Sequence, residues 1–246
     1  MAAPLEGIKV VDFSRVLAGP LCGRTLQDLG AEVIKIEPPG VDVARFAAPV
    51  NPNGVSGYYA QQNAGKRNIC LDLNKPEAKQ VALQLSDQAD ILVENFRPGT
   101  LASFGLDYDT LARRNPGLIY LSISGFSQQG PLSSKPAMDP VLQAFTGFMM
   151  ENKGQDGIPH RTNPIIVDMS TALYSFQAVS AALYAKRDEP KGRFIDMSLM
   201  AAATNLSRGS ASAFGFSRWG GVPAGMKRTS GSLSASISSN AGRRCP

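Results

Sequence analysis

Residues 8–40 read IKVVDFSRVLAGPLCGRTLQDLGAEVIKIEPPG. The stretch opens on a short apolar run with β-branched residues (IKVVDF, 8–13), the pattern of a buried strand. GPLCGRTLQDLG follows, with Leu21, Leu26 and Leu29 at helical spacing and Gly30 to close the turn. AEVIKIE (31–37) then reads as a second strand, stopped by Pro38, Pro39 and Gly40. Two strands joined through a helix form a βαβ unit, and strands so connected lie parallel.

The chain repeats this alternation. NICLDL (68–73), ILVEN (91–95) and LIYLSIS (118–124) read as strands. Between the first two, PEAKQVALQLSDQAD reads as a helix with Pro76 in its first turn. The expected fold is therefore α/β, an open and mainly parallel sheet covered by helices, with no internal repeat.

Composition sets outer limits. The 246 residues are 43% hydrophobic and 18% charged, which suits a globular chain with a substantial core. No apolar run approaches a membrane span. Glu6, Lys9 and Asp12 interrupt any signal-peptide order at the N-terminus. A cytoplasmic chain with no membrane partner is expected. Three distant cysteines, Cys22, Cys70 and Cys245, argue against a disulfide framework and for a reducing compartment. Four of the five net positive charges come from Lys227, Arg228, Arg243 and Arg244, in a serine- and glycine-rich segment without acids (223–246). That segment is expected to be a disordered tail. It lacks the interleaved aromatics of a single-strand binder, so no nucleic-acid partner is expected.

Several chemistries are excluded. No G-x-G-x-x-G follows a strand, and around Gly65-Lys66 the earlier glycine of a phosphate loop is missing. GFSQQG has Gln129 where a nucleophile elbow needs glycine. His160 is the sole histidine and lies in a polar loop, and no cluster has metal-ligand spacing. Ligands of open α/β sheets bind beyond the carboxyl ends of the strands. That points to SRVLAGP (14–20), EPPG (37–40), ENFRPG (94–99), SGFSQQGP (124–131) and the surroundings of Asp168.

Asp168 stands out because apolar residues flank it. Met169, Ala172, Leu173, Phe176, Val179 and Leu183 follow at a period of 3.6, so the acid sits at the start of an amphipathic helix. It suits an N-cap. It equally suits a nucleophilic carboxylate, held ionised by the helix terminus and stripped of water by its neighbours. Position alone does not choose between them.

The segments PLEGIKVVDFSRVLAGP, LGAEVIKIEPPG, NAGKRNICLDLNKPEAK, DILVENFRPGT, NPGLIYLSISGFSQQGP, DMSTALY and KGRFIDMSLMAA resemble, in this order, the family III CoA-transferases. That group includes formyl-CoA transferases, carnitine CoA-transferases and α-methylacyl-CoA racemases. The resemblance implies that Asp168 is the nucleophile that forms an anhydride and then a thioester with CoA. It implies that Arg15, Val16, Leu17, Ala18, Leu71, Asn95, Phe96, Arg97 and Lys135 meet the CoA. No permanently bound cofactor or metal is implied; a CoA thioester and a small carboxylic acid are the substrates, and a homodimer is the assembly. Pro38 and Ser103 replace arginines of formyl-CoA transferase, and Asn74 replaces a lysine, so the CoA contacts are expected to differ in part. The racemases carry a histidine just before an acid; KPAMDP has Met138 before Asp139. A methionine cannot move a proton, so transfer is expected rather than racemization. Family members are longer, and the family pattern fades near Trp219-Gly220. Residues 1–222 are thus expected to form the N-terminal part of the large domain, incomplete at the C-terminus as in a truncated or frameshifted product. A non-catalytic remnant that binds CoA weakly or pairs with an intact homologue is the alternative.

Overall fold

The structure is a computed structural model and describes residues 2–211 and 236–238. In chain order the elements are β1 (Lys9–Asp12), α1 (Ala18–Asp28), β2 (Glu32–Glu37), α2 (Gly57–Asn63), β3 (Arg67–Cys70), α3 (Pro76–Asp87), β4 (Ile91–Glu94) and α4 (Tyr108–Arg114). There follow β5 (Ile119–Ser124), α5 (Asp139–Phe145), α6 (Phe148–Glu151), α7 (Ile166–Lys186), β6 (Arg193–Ser198), α8 (Leu199–Ala211) and β7 (Ser236–Ser238). The strands form one sheet in the order β3-β2-β1-β4-β5-β6-β7. All neighbours pair in parallel except β6 with β7, which is antiparallel. The expected mainly parallel α/β sheet is what forms. The tail expected at 223–246 lies outside the described residues apart from β7.

Both faces of the sheet are covered, and the strands alternate between them. Val10, Ile91, Val93, Ile119 and Leu121 enter one core with residues of α1, α5, α7 and α8. Val11, Leu92 and Tyr120 enter the other with residues of α3 and α4. Burial on two sides is why these strands read as continuous apolar runs rather than as alternating ones. The strand expected at 68–73 ends earlier, at Cys70, because Asp72 starts a turn whose side chain accepts the N–H of Asn74.

α7 buries a different face from the one its apolar spacing suggests. Ala172 and Val179 are buried, as expected, but Met169 is 42% exposed and Leu173 55%. Ser170, Thr171 and Ser175 take the inner positions instead. The reason is α1, which α7 packs against and whose buried residues include Ala18, Gly19, Cys22 and Gly23. Small residues on both helices allow close approach. Ser170 and Thr171 satisfy their hydroxyls on the carbonyls of Ile166 and Val167, which makes their burial tolerable.

No helix among the described residues is long and apolar enough to cross a membrane.

Candidate active site

The strand order turns at β1 and β4, and chain directions diverge there. In open α/β sheets this switch point opens a crevice above the carboxyl ends. A cavity of about 540 Å³ occupies that place. Its walls come from the residues after β1 (Val16, Ala18), after β4 (Asn95, Phe96, Arg97) and after β5 (Lys135, Met138), with Asp168 of α7 also lining it.

A buried polar network holds the loop after β1. Asp12 accepts the N–H of Ser14 at 2.9 Å and the ammonium of Lys66 at 2.8 Å. Lys35 donates to the carbonyl of Ser14 at 2.6 Å and pairs with Asp42 at 3.4 Å. Asp42 in turn accepts the N–H of Val16 at 3.1 Å. Val16 has φ +68°, a left-handed conformation unusual for a β-branched residue. The Asp42 carboxylate, accepting the Val16 backbone N–H, holds it there. Asn95 joins this loop to the one after β4. Its amide accepts the N–H of Arg15 at 2.8 Å and donates to the Arg15 carbonyl at 2.7 Å. Beside it, Glu94 accepts the N–H of Phe96 at 2.8 Å, and burial pushes the Glu94 carboxyl up to about 7.

Asp168 is not a cap. α7 begins at Ile166 and its N-cap residue is Ile165, which makes no side-chain capping bond. The exposed N–H groups of the first turn are met from another helix. Asp139, at the start of α5 and 4% exposed, accepts the N–H of Val167 at 2.6 Å and that of Asp168 at 3.2 Å. Gln143 donates to the other Asp139 oxygen and accepts the N–H of Thr162 at 2.9 Å. Among the described residues the Asp168 carboxylate has no hydrogen bond or ion pair. Burial first, and the charge of Asp139 second, push it up to about 7. Desolvation therefore outweighs the helix terminus, and the acid is only partly ionised at neutral pH, not fully as its position suggests.

The cavity thus brings together seven of the residues singled out from the sequence: Val16, Ala18, Asn95, Phe96, Arg97, Lys135 and Asp168. Arg15 lies beside it, its guanidinium 5.0 Å over the Phe96 ring. Leu17 and Leu71 do not line it; both are buried, Leu71 in the core on the α3 side. Three further lining residues carried no clear sequence signal. Tyr58 lies on the short helix α2, and burial together with Asp168, Asp42 and Asp139 pushes its hydroxyl up to about 12. It keeps its proton and is a donor at neutral pH. Asp139 is legible only as the acid after Met138. Arg161 lies in the polar loop before α7. Among the described residues no group of three or more His, Cys, Asp or Glu is placed to hold a metal ion. The arrangement offers a half-buried carboxylate, a phenolic donor and cations that, among the described residues, make no ion pair, all around one open cavity. This suits nucleophilic attack on an electrophilic carbonyl of an anionic substrate.

A family model described as CoA-transferase family III matches residues 5–235. The chain is 41% identical over 204 residues to the succinate–glutarate CoA-transferase of Agrobacterium fabrum, covering 80% of this chain and 51% of that protein. It is 38% identical over 200 residues to the succinyl-CoA:glutarate CoA-transferase of Homo sapiens, covering 81% of this chain and 46% of that protein. The crystal structure of a CAIB/BAIF family protein from Brucella suis superposes with a TM-score of 0.83 at 37% identity, covering 87% of this chain and 58% of that one. The chain spans about half the length of the curated relatives it matches.

Proposed function

The chain belongs to CoA-transferase family III, and on that premise we propose that it moves CoA from an acyl-CoA to a small carboxylic acid through Asp168. The observation that carries this reading is the Asp168 carboxylate itself. It lines the cavity, is half-buried and has no partner to satisfy, because Asp139 takes over the capping of its helix.

An Asp168 oxygen attacks the thioester carbonyl. The C–S bond breaks, CoA leaves as thiolate, and an acyl–aspartyl anhydride remains. The thiolate then attacks the Asp168 carbonyl and releases the donor acid as a carboxylate. The acceptor carboxylate attacks the resulting aspartyl thioester and again expels CoA thiolate. That thiolate takes the acyl group from the new anhydride and regenerates the Asp168 carboxylate. Splitting the exchange in this way replaces one hard step with easier ones. Arg97 and Lys135 meet the anionic CoA along the strand ends, with Val16, Ala18, Asn95 and Phe96 as the channel wall. Arg15, Leu17 and Leu71 support that wall from behind. Tyr58 donates to the oxygen on which charge develops.

The racemase alternative lacks a second base. Met138 carries no titratable group, and Asp139 is occupied with two backbone N–H groups.

Assembly as a homodimer belongs to the same proposal. Met169, Leu173 and Tyr184 of α7 and Val141 and Phe145 of α5 stand exposed, and a second copy would cover them.

The test is to incubate the purified chain with succinyl-CoA or acetyl-CoA and a panel of acids. The expected result is new acyl-CoA together with trapping of the Asp168 adduct by hydroxylamine. CoA binding with neither product would instead favour the non-catalytic reading.

A further inference from the structure

Tyr58, which lines the cavity, has a neighbour in the chain that is held far more firmly than it is. Tyr58 and Tyr59 follow each other on α2, so their side chains leave the helix about 100° apart. Burial, with the charges of Asp168, Asp42 and Asp139, acts on the Tyr58 hydroxyl. Tyr59 turns instead to Glu37, at the end of β2, and donates its hydroxyl to that carboxylate.

Glu37 is 2% exposed and gathers donors from three other segments. It accepts the N–H of Asp42 at 3.0 Å, the Arg45 guanidinium at 2.8 and 2.7 Å, and the amide of Asn68 on β3. Burial alone would raise the Glu37 carboxyl; the bonds from Arg45, Tyr59 and the Asp42 N–H bring it down to about 2, so it is an anion at neutral pH. Arg45 also donates to the Tyr59 hydroxyl at 2.7 Å, and its guanidinium stacks 4.0 Å over the Tyr59 ring. Tyr59 is thus gripped by its face and by its oxygen.

An Arg45–Glu37 pair would close this corner without a phenol, and phenylalanine would stack on Arg45 equally well. The hydroxyl adds a fixed point on the middle of α2. At its ends, Ser56 caps the N–H of Tyr59 at 3.2 Å and Asn63 accepts the Lys66 ammonium at 3.0 Å. A helix of seven residues does not hold itself, and ties at its two ends leave its roll free. The bond from Tyr59 to Glu37 fixes that roll, and with it the direction of Tyr58.

We propose that Glu37 and Arg45 clamp Tyr59 so as to aim Tyr58 at the cavity, which makes Tyr59, Glu37 and Arg45 positioning residues for CoA transfer. The proposal rests on reading Tyr58 as the donor of that transfer.

The experiment measures CoA exchange in a double-mutant cycle. Tyr58→Phe is expected to lower kcat about a hundredfold and Tyr59→Phe about tenfold, with the KM for acyl-CoA unchanged in both. The double variant is expected to be no slower than Tyr58→Phe alone, because a clamp with no phenol to aim has nothing left to lose. Arg45→Lys, which keeps the charge and loses the fork, is expected to match Tyr59→Phe. Losses that multiply in the double variant overturn the proposal, since a Tyr59 needed only for folding acts independently of Tyr58. A Tyr59→Phe protein with native kcat overturns it too.

A second readout needs no turnover. In protein labelled with fluorotyrosine, the fluorine signal missing from Tyr58→Phe identifies Tyr58. It is expected to shift as pH crosses about 7, where Asp168 ionises, and to lose that shift in Asp168→Asn. Tyr59→Phe is expected to flatten it. No shift in the wild type, or the full shift in Tyr59→Phe, overturns the clamp whether or not exchange is seen. A flattened shift in Tyr59→Phe, with no exchange by the wild type, overturns the transfer reading alone.

Discussion

Asp139 caps the helix that carries Asp168, accepting the N–H of Asp168 at 3.2 Å and that of Val167 at 2.6 Å. Two acids close in space thus have separate tasks. Asp139 satisfies the backbone, and its charge helps to hold the proton on Asp168. A carboxylate engaged in capping would be stabilised as an anion and blunted as a nucleophile; Asp168 is spared that by its neighbour.

Asp168→Asn is expected to abolish CoA exchange and hydroxylamine trapping while leaving the fold intact, since no hydrogen bond of the side chain is lost. Exchange at near-native rate in this variant would falsify the nucleophile assignment.

The same variant is expected to be more stable than the wild type above neutral pH. The folded value of about 7 lies above the ordinary 3.8, so the folded chain holds this proton more tightly than the unfolded chain. The stability from Asp168 is fully present below about pH 4 and is lost as pH rises through about 7. The loss is on the order of 1–3 kcal/mol after allowing for partial solvent access. Melting curves at pH 5 and pH 8 check this. A gap between variant and wild type that does not widen towards pH 8 contradicts it.

Exchange rate should rise with pH along a limb centred near 7, as Asp168 ionises. Asp139→Asn and Asp139→Ala both remove the like charge and should move that limb to lower pH. They should differ in stability. Asn keeps an acceptor for the first turn of α7, whereas Ala leaves buried N–H groups unpaired at a cost of about 1–3 kcal/mol. Limbs unmoved in both variants would mean that the two carboxylates are not coupled.

Lys66→Met is expected to cost about 3–5 kcal/mol, because it strands the Asp12 carboxylate, whose side chain is 0% exposed, without its cation. Asp12 also holds Ser14 beside the cavity, so CoA affinity should fall with stability. A thermal melt within a degree or two of wild type would show that water reaches Asp12 and replaces the lysine.

The sheet was legible in the sequence where strands lie buried on both faces. IKVVDF, AEVIKIE, ILVEN and LIYLSIS are apolar runs bounded by Gly and Pro, and each forms close to its expected place. The short helices were harder to read: α2, α5 and α6 span only 7, 7 and 4 residues, too few for periodicity to register. The inner face of α7 was misleading because α1 offers it small residues, which favour Ser and Thr at contacts where the apolar spacing placed Met169 and Leu173.

By itself the sequence determined the succession of strands and helices, the parallel sheet that such a succession requires, and the presence of an acid at the start of α7. Those features depend on local periodicity and on turn residues, which a linear chain displays. Only the tertiary structure decided what that acid is free to do. Its helix is capped by Asp139, 29 residues earlier in the chain, and it is half-buried in a cavity walled by loops after β1, β4 and β5. Hydrogen-bond partnership and burial are set by neighbours in space, and so the Asp168 that suits either a cap or a nucleophile in the sequence stands unpaired in the fold.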